Sequence, residues 1–272
     1  MNIHTKTWIL GPCSMESEKL YLDEGRFLNK IMKGREWYYK SSFDKANRTS
    51  IRGKRGMGLD KGIEVFKKLK EEIPDIKLTT DVHECWQVEK LKGIVDLIQI
   101  PAFLCRQTDL IAECARNFNI VNIKKGQWIS PVSACKFVDK VKNVNGNCEA
   151  WMTERGSNFG YEQLIVDFGN VEMLKRSFDK IILDCTHSTQ RLKDGFNGGD
   201  RNLAEKYLFS SMIFEYDGVF AEVHPNPPKA LSDMDSQIYL DRMEKLIHGF
   251  DEIQKAYEII RPGSLFIDCN KG

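Results

Sequence analysis

The sequence predicts a (β/α)8 barrel, and three observations favour that fold. Short apolar segments rich in β-forming residues recur along the whole 272-residue chain, and helical patterns fill the gaps between them. Eight such segments, at about 20–40 residues per strand-helix unit, suit this barrel. The chain length is also close to the roughly 250 residues that are typical of the fold. We therefore predict one barrel domain over residues 1–272.

The predicted strands lie at residues 8–10, 37–39, 77–80, 97–100, 121–123, 150–152, 181–183 and 219–221. Helices are predicted at residues 59–72, 109–117 and 139–142. In the first of these helices, Ile63, Phe66 and Leu69 fall on one face. A doubly wound open sheet is the alternative, but it needs fewer strands, and no Gly-x-Gly-x-x-Gly turn follows the first strand. Residues 41–58 are too polar and glycine-rich for a core helix, so we expect a long functional loop there.

Composition narrows the class of protein. The chain is 42% hydrophobic and 29% charged, which is typical of a folded domain and argues against disorder. A net charge of +1 gives no general reason to expect nucleic acid or a membrane surface as a partner. No apolar run approaches the ~20 residues that cross a bilayer, and no signal-peptide layout begins the chain. We expect a cytoplasmic protein whose eight cysteines, which form no C-x-x-C pair, are mostly reduced.

In a (β/α)8 barrel the carboxyl ends of the strands carry the active site, and here these ends lead into basic residues. The basic residues expected to converge are Lys40, Lys45, Arg48, Lys124 and Arg155, with Arg201 as a further candidate. Any one of them alone is more often a solvated surface side chain. Together they would repel each other unless anions lay between them, and phosphate or carboxylate would fill that role. Backbone N–H groups in the turn at 197–201 could help to bind a phosphate.

A second group of residues has the chemistry of metal ligands. Cys13, His187 and Glu222 follow the first, seventh and eighth strands, which are neighbours when a barrel closes, and Asp233 lies in the next loop. This set suits a divalent transition metal such as zinc, iron(II) or manganese. A lone buried cysteine, however, is usually a small core residue.

Other polar residues leave alternatives open. His83 and His224 are rival metal ligands that spacing alone does not exclude. Asp81 and Asp184, at the ends of the third and seventh strands, are candidates either for a general base or for holding a lysine in place.

Seven motifs strongly resemble the 3-deoxy-D-manno-octulosonate 8-phosphate synthases. They are SFDKANRTS (42–50), TDVHE (80–84), QIPAFLCRQTDL (99–110), RGSNFGY (155–161), DCTH (184–187), EVHPNP (222–227) and ALSD (230–233). The resemblance extends from Gly11 to about Leu240. The KANR segment is the most specific of these, because the related heptulosonate 7-phosphate synthases carry a Lys-Pro-Arg-Thr type of segment there.

The resemblance implies a (β/α)8 barrel, usually a homotetramer, that condenses phosphoenolpyruvate with D-arabinose 5-phosphate. The products are an eight-carbon keto-sugar phosphate, used for the inner core of lipopolysaccharide, and inorganic phosphate. The family has metal-dependent and metal-independent classes, and the second carries Asn at the position of Cys13. The resemblance therefore implies the metal-dependent class, with Cys13, His187, Glu222 and Asp233 as ligands.

The resemblance also implies roles for the remaining residues. Those assigned to phosphoenolpyruvate are Lys40, Ser42, Lys45, Lys124 and Arg155, with Gln99 and Ala102 nearby. Those assigned to the pentose phosphate are Asn47, Arg48, Thr49, Asn197 and Arg201, of which Arg48 and Thr49 would reach across a subunit boundary. The catalytic candidates are Lys45, Asp81, His187 and Cys13. Lys45 is expected to have a lowered pKa because other cations crowd it.

Departures from the family pattern cluster around the sugar. Residues 190–197 form a shorter loop than is usual, Asn197 and Thr49 stand where serine is common, and residues 234–240 also differ. A different aldose phosphate, such as erythrose 4-phosphate, is therefore an alternative acceptor. A non-catalytic barrel that only binds an anion is the alternative from another class.

Overall fold

The computed structural model describes residues 6–48, 50–159, 162–193 and 196–260. Within them, eight parallel strands form a ring in which each strand pairs with the next one along the chain. The ring closes between the first and last strands, where Thr7 lies opposite Gly218 and Gly11 lies opposite Glu222. The (β/α)8 barrel predicted from the strand-helix repeat is therefore confirmed.

The barrel strands in the described residues are β1 (Thr7–Gly11), β2 (Trp37–Lys40), β3 (Leu78–Asp81), β4 (Leu97–Ile100), β5 (Ile120–Lys124), β6 (Glu149–Glu154), β7 (Lys180–Asp184) and β8 (Gly218–His224). The α-helices are α1 (Glu18–Ile31), α2 (Leu59–Glu72), α3 (Cys85–Leu91), α4 (Thr108–Asn117), α5 (Pro131–Lys142), α6 (Val171–Lys175), α7 (Arg201–Ile213) and α8 (Met243–Ile260). All eight predicted strands are confirmed, with bounds that differ by a few residues.

The predicted helices are also present, but one of them was predicted too short. Helix α2 has the predicted bounds, and α4 begins one residue before the predicted start. Helix α5 begins at Pro131, whereas the prediction covered only its last turn. Its first turns contain proline, serine and cysteine, which are weak helix formers, so the pattern there is faint. The start is set locally, because the Ser130 hydroxyl accepts a hydrogen bond from the Ser133 N–H.

The inside of the barrel has an apolar floor. Six buried residues from six different strands pack together there, apart from the larger core between the barrel and its helices: Ile9, Tyr38, Leu97, Trp151, Ile182 and Phe220. Within this floor the Trp151 ring meets the Tyr38 ring edge to face at 5.6 Å. The floor closes the barrel below the carboxyl ends, so the pocket above it is a cleft and not a channel.

The period of a β-strand places polar residues directly above this floor. Lys40, Gln99, Thr153, Asp184 and Glu222 each come two residues after a floor residue. Because alternate side chains point to the same face of a strand, these residues also point into the barrel. All five are buried. The strand pattern therefore produces a buried polar layer at the carboxyl ends of the strands.

The loops at the carboxyl ends carry additional short structure. Two antiparallel strand pairs follow β6 and β7, Ser157–Asn158 with Leu164–Ile165 and Arg191–Lys193 with Phe196–Gly198. The predicted loop at 41–58 has no helix or extended strand among its described residues, and it meets the loop after β1 through a bridge between Ser14 and Ser42. Thr49 lies outside the described residues.

Two expectations from composition can be compared with the structure. Across the described ranges, no helix is both long enough and apolar enough to cross a membrane. The seven cysteines of those ranges are free thiols, and five of them are buried. The expectation that most of the cysteines are reduced stays a prediction, and Cys269 lies outside the described residues.

Candidate active site

Cys13, Glu222 and Asp233 form the tightest group of potential metal ligands at the carboxyl ends of the strands. One ligand atom from each lies within 4.8 Å of the other two. The Cys13 thiol donates to Asp233 Oδ2 at 3.1 Å, and the Ser232 hydroxyl donates to Cys13 Sγ at 2.7 Å. Three of the four predicted ligands are thus brought together by β1, β8 and the loop after β8.

The close approach of β1 to β2 depends on Gly11. A Cβ at this position would lie 2.0 Å from the Lys40 carbonyl oxygen, and the φ of Gly11 is +149°. Any side chain would push the two strands apart at this point. Glycine therefore lets the chain bring Cys13 beside Lys40, whose ammonium group donates to the Cys13 carbonyl at 3.2 Å.

His187, the fourth predicted ligand, lies at the edge of this group. Its Nε2 is 3.6 Å from Glu222 Oε1, and its Nδ1 is 2.9 Å from Asp184 Oδ2. The contact with Asp184 holds the ring so that Nε2 faces Glu222. A carboxylate that orients a histidine in this way is common behind metal sites.

The two rival histidines lie elsewhere. His224 Nδ1 accepts from the Asn226 N–H at 2.9 Å, and its Nε2 is 3.8 Å from a carboxylate oxygen of Glu16. His83 Nε2 is 3.1 Å from Asp81 Oδ2, and its ring stacks against Phe103. The three-residue group above contains neither histidine.

The chemistry of Cys13, Glu222 and Asp233 fits a divalent transition metal. Glu222 Oε2 is buried and has no hydrogen-bond partner in the described residues, which is costly unless something else binds it. Burial, together with the negative charge of Glu222, raises the pKa of the Cys13 thiol well above its ordinary value. A cation bound here would bind the free carboxylate oxygen and stabilise the thiolate.

Two buried ammonium groups lie beside these acids. Lys40 Nζ is 3.1 Å from Glu222 Oε1, and Lys124 Nζ is 2.7 Å from Asp184 Oδ2. Both lie over the ring of Phe220, at 5.5 Å and 3.5 Å from its centroid. The ring face and the two carboxylates thus hold both ammonium groups in fixed positions at the carboxyl ends of the strands.

Of the two site lysines Lys45 and Lys124, it is Lys124 that has a lowered pKa. Burial lowers the pKa of Lys124, and the charge of Asp184 opposes this only in part. Burial would also lower the pKa of Lys45, but the charges of Cys13 and Glu222, followed by other acids, raise it above its ordinary value. The expectation of a lowered Lys45 pKa is therefore wrong, because acids and not cations dominate its surroundings.

Asp81 and Asp184 are both held by hydrogen bonds. Asp81 accepts from the Ser42 hydroxyl, which in turn accepts from Lys45 Nζ at 3.0 Å. Burial opposes ionisation of Asp81, but the His83 hydrogen bond and the charge of Lys45 lower its pKa well below the ordinary range. Burial opposes ionisation of Asp184 as well, while His187 and Lys124 lower its pKa. Such carboxylates are weak bases, so the arrangement favours the alternative in which they hold neighbouring groups in place.

Around the phosphoenolpyruvate candidates, the described side chains form a connected polar layer. Gln99 Oε1 accepts from Asn122 at 3.5 Å, and Asn122 accepts from the Thr153 hydroxyl at 2.8 Å. Arg155 is buried and donates to Gln190 Oε1 at 2.5 Å. Ala102 begins a short 3-10 turn directly after β4.

The residues predicted for the sugar phosphate lie further out. Asn47 is exposed, and Arg48 donates to the Leu231 carbonyl at 3.3 Å. Arg201 donates to the Met234 carbonyl at 2.6 Å and to the carbonyl of Gln237. The two arginines thus donate to backbone carbonyl groups of the loop after β8. The side chain of Asn197 and all of Thr49 lie outside what the structure describes.

Sequence reasoning missed three polar residues with contacts at this site. Ser232 binds Cys13, Gln190 bridges Arg155 and Asp233, and Lys125 donates to the Ser157 hydroxyl at 3.1 Å. Lys125 is fully buried and lies 3.4 Å from a carboxylate oxygen of Glu154, so it ties the loop after β5 to the loop after β6. Its position directly after Lys124 was the only signal in the sequence.

Comparison with known proteins shows the family of this chain. Residues 4–258 match the pattern of the DAHP synthetase I family. The chain belongs to this family. The resemblance noted from the motifs is thus confirmed at the level of the family.

Several curated relatives of this chain share one name. The Wolinella succinogenes protein named 2-dehydro-3-deoxyphosphooctonate aldolase is 41% identical over 254 residues, which cover 88% of this chain and 96% of that protein. Proteins of the same name from Fusobacterium nucleatum and Helicobacter hepaticus are 40% and 39% identical, with 91% and 90% of this chain covered. These alignments cover 90% and 95% of the two relatives.

Proposed function

We propose that this chain is a transferase that condenses phosphoenolpyruvate, D-arabinose 5-phosphate and water to 3-deoxy-D-manno-octulosonate 8-phosphate and inorganic phosphate. The product would serve the synthesis of the lipopolysaccharide core. The relatives named above support the reaction, since they align with this chain over about nine-tenths of its length. The observation that carries the proposal is the pair of buried ammonium groups of Lys40 and Lys124 above Phe220.

The buried cations suit phosphoenolpyruvate, which carries a phosphate and a carboxylate. Lys40 and Lys124 are already partnered by Glu222 and Asp184, so they are fixed in place before substrate binds. Arg155 adds a guanidinium group that can bind an anion through two parallel hydrogen bonds. Fixed cations also stabilise the charge that develops when carbon three of the substrate attacks an aldehyde and water attacks carbon two.

Lys45 suits the aldehyde oxygen. Its raised pKa keeps the ammonium group protonated, so it can donate a proton or a hydrogen bond to the oxygen that gains charge. Its hydrogen bond to Ser42, and through Ser42 to Asp81, orients the group. In this proposal Lys45 acts as a donor, and Asp81 holds the donor in place.

We also propose the metal-dependent class, with Cys13, His187, Glu222 and Asp233 as the residues that would hold a divalent metal. The free oxygen of Glu222 and the mixed thiol and carboxylate donors support this proposal. When bound, zinc, iron(II) or manganese would orient the aldehyde or lower the pKa of water. The homotetramer and the cytoplasmic location stay predictions from the resemblance and the composition.

The test is phosphate release from phosphoenolpyruvate with D-arabinose 5-phosphate, run beside the same assay with erythrose 4-phosphate. We expect release that requires the pentose, stops after chelation and returns with Mn²⁺. Release with erythrose 4-phosphate but not with the pentose would mean that erythrose 4-phosphate is the acceptor. Metal-independent release would reject the metal-dependent class. Binding of phosphoenolpyruvate without release with either sugar would favour the anion-binding barrel.

A further inference from the structure

We propose that Gln190 is a positioning residue that couples the anion subsite at Arg155 to the metal-ligand group at Asp233. The inference rests on the proposed function. Gln190 Oε1 accepts from Arg155 at 2.5 Å, and Gln190 Nε2 donates to Asp233 Oδ1 at 2.9 Å. The other oxygen of Asp233 accepts from the Cys13 thiol. One amide thus connects the two halves of the site.

An amide is well suited to this place. Its oxygen meets a cation and its nitrogen meets a carboxylate, so each end finds the partner it needs. Glutamate here would repel Asp233, and lysine would repel Arg155. Because the amide is uncharged, it connects the two groups without neutralising either of them. Each stays available for its own ligand.

The backbone of Gln190 is also anchored from two sides. Its N–H donates to the His187 carbonyl at 3.2 Å, which ends the short turn after β7. Its carbonyl accepts from the Leu164 N–H at 3.2 Å, in the loop after β6. The side chain therefore extends from a fixed point between the strands that carry Arg155 and His187, which limits how far Arg155 and Asp233 can move independently.

The mechanical consequence is a coupling between two binding events. An anion bound by Arg155 orders the guanidinium group, and Gln190 transmits that order to the oxygen of Asp233. A metal should then find Asp233 in a more restricted set of positions and bind more tightly. By thermodynamic reciprocity the metal tightens anion binding by the same factor.

The experiment measures Co²⁺ affinity with and without saturating phosphoenolpyruvate, using the absorption of the cobalt–thiolate bond of Cys13. In the unsubstituted chain we expect phosphoenolpyruvate to tighten Co²⁺ binding by about fivefold or more, within the range typical of coupled sites. In Gln190→Leu, which loses both hydrogen bonds, this ratio should fall towards one. Gln190→Glu should lower it as well, because the contact with Asp233 becomes repulsive.

Gln163→Leu is the matched control. Gln163 is exposed, and its backbone bridges Arg191 directly after Gln190, so the same chemical change is made beside the site without touching either ligand group. In this variant we expect the same ratio of Co²⁺ affinities, with and without phosphoenolpyruvate, as in the unsubstituted chain. Melting temperatures of all variants, measured without ligands, check that the barrel is folded.

Two results would overturn the inference while leaving the proposed function intact: an unchanged ratio in folded Gln190→Leu and Gln190→Glu, or a ratio of one in the unsubstituted chain that binds both ligands. Failure of the unsubstituted chain to bind Co²⁺ would reject the proposed metal site, and failure to bind phosphoenolpyruvate would reject the proposed reaction. Either failure would reject this inference as well. The readout is a ratio of affinities, so general loosening of the fold does not imitate the effect.

Discussion

Two groups of residues at the carboxyl ends of this barrel are built in different ways. We call them the donor group, after the proposed donor substrate phosphoenolpyruvate, and the rim group. The donor group consists of Lys40, Lys124, Asp184 and Glu222, which lie on barrel strands and are all buried in paired contacts. The rim group consists of Asn47, Arg48 and Arg201, which lie on loops or at a helix start and are more exposed. Strands hold chemistry that needs exact placement, whereas loops hold contacts that can change with the substrate.

This contrast matches the distribution of sequence departures. The departures that the resemblance to the octulosonate synthases implies lie in the loops at 190–197 and 234–240 and at Thr49. If the contrast holds, changes in the donor group and its metal ligands should remove the reaction, and changes at the rim should alter the use of the sugar.

The largest effect is expected for Cys13→Ala. Loss of an outer partner of a metal ligand typically lowers metal affinity by about 10- to 100-fold. Removal of the ligand itself should lower the affinity by more than that. Metal content after dialysis and phosphate release with added Mn²⁺ measure this loss. Cys135→Ala, which changes a half-buried cysteine on α5, is the control. Full activity of Cys13→Ala in chelator would contradict the metal assignment.

The next largest effect is expected for Lys45→Met, which keeps the side-chain stem and removes the charge. We expect kcat to fall by roughly 100- to 1000-fold, as when a donor to a developing charge is lost. The melting temperature should change little. Lys54→Met, on the same loop but exposed, should keep the unsubstituted rate. A normal rate for Lys45→Met would reject its role as donor.

A smaller and more selective effect is expected at the rim for Arg48→Ala. Loss of a charged hydrogen bond should raise the KM for the pentose phosphate by about 10- to 100-fold, with little change in the KM for phosphoenolpyruvate. Arg55→Ala is the matched control, since exposed Arg55 pairs with Asp44 on the same loop. An equal rise in both KM values would remove the distinction between the two groups.

The smallest effect concerns the free energy of unfolding, and it involves a buried carboxyl group outside the two groups, that of Glu24. Glu24 on α1 is 1% exposed, and neither of its carboxylate oxygens has a hydrogen-bond partner in the described residues. Burial, followed by the charge of Glu16, raises the pKa of this carboxyl well above its ordinary value. A raised carboxyl pKa means that folding is penalised as pH rises above the ordinary value, because the unfolded chain ionises first.

We therefore expect Glu24→Gln to gain stability over the unsubstituted chain between pH 5 and pH 8, by about 1–3 kcal/mol at the upper end. Denaturant unfolding at several pH values measures the difference. Glu18→Gln, at an exposed position of the same helix, is the control. Apart from the loss of the ion pair between Glu18 and Lys68, its unfolding free energy should show no such dependence on pH. A constant difference between the Glu24 variant and the unsubstituted chain would contradict the pH argument.

The donor group shows how much could be predicted before the structure. Lys40, Lys124 and Glu222 were predicted because each lies where an apolar strand ends, which is where such a barrel carries its active site. Cys13 and Glu222 were predicted as metal ligands because β1 and β8 become neighbours on closure, and Asp233 was added because it lies in the loop after β8. The hydrogen bond between Asp233 and Cys13 is seen only in the folded chain.

Other features depend on distances that the sequence does not contain. The raised pKa of Lys45 follows from acids that arrive from β3, β8 and two loops. The bridge made by Gln190 joins residues 35 and 43 positions away along the chain. Neither the pKa of Lys45 nor the Gln190 bridge could be predicted from nearby residues, because long-range side-chain contacts leave no periodic signal in the sequence.

The sequence by itself determined the barrel and the polar residues where its strands end, because these follow from hydrophobic periodicity and chain connectivity. Only the tertiary structure decided which acids face which cations, which histidine lies beside Glu222 and which lysine has a lowered pKa. Those outcomes depend on burial and on charge separations of a few ångströms, and such distances are set when the eight strands close into one ring.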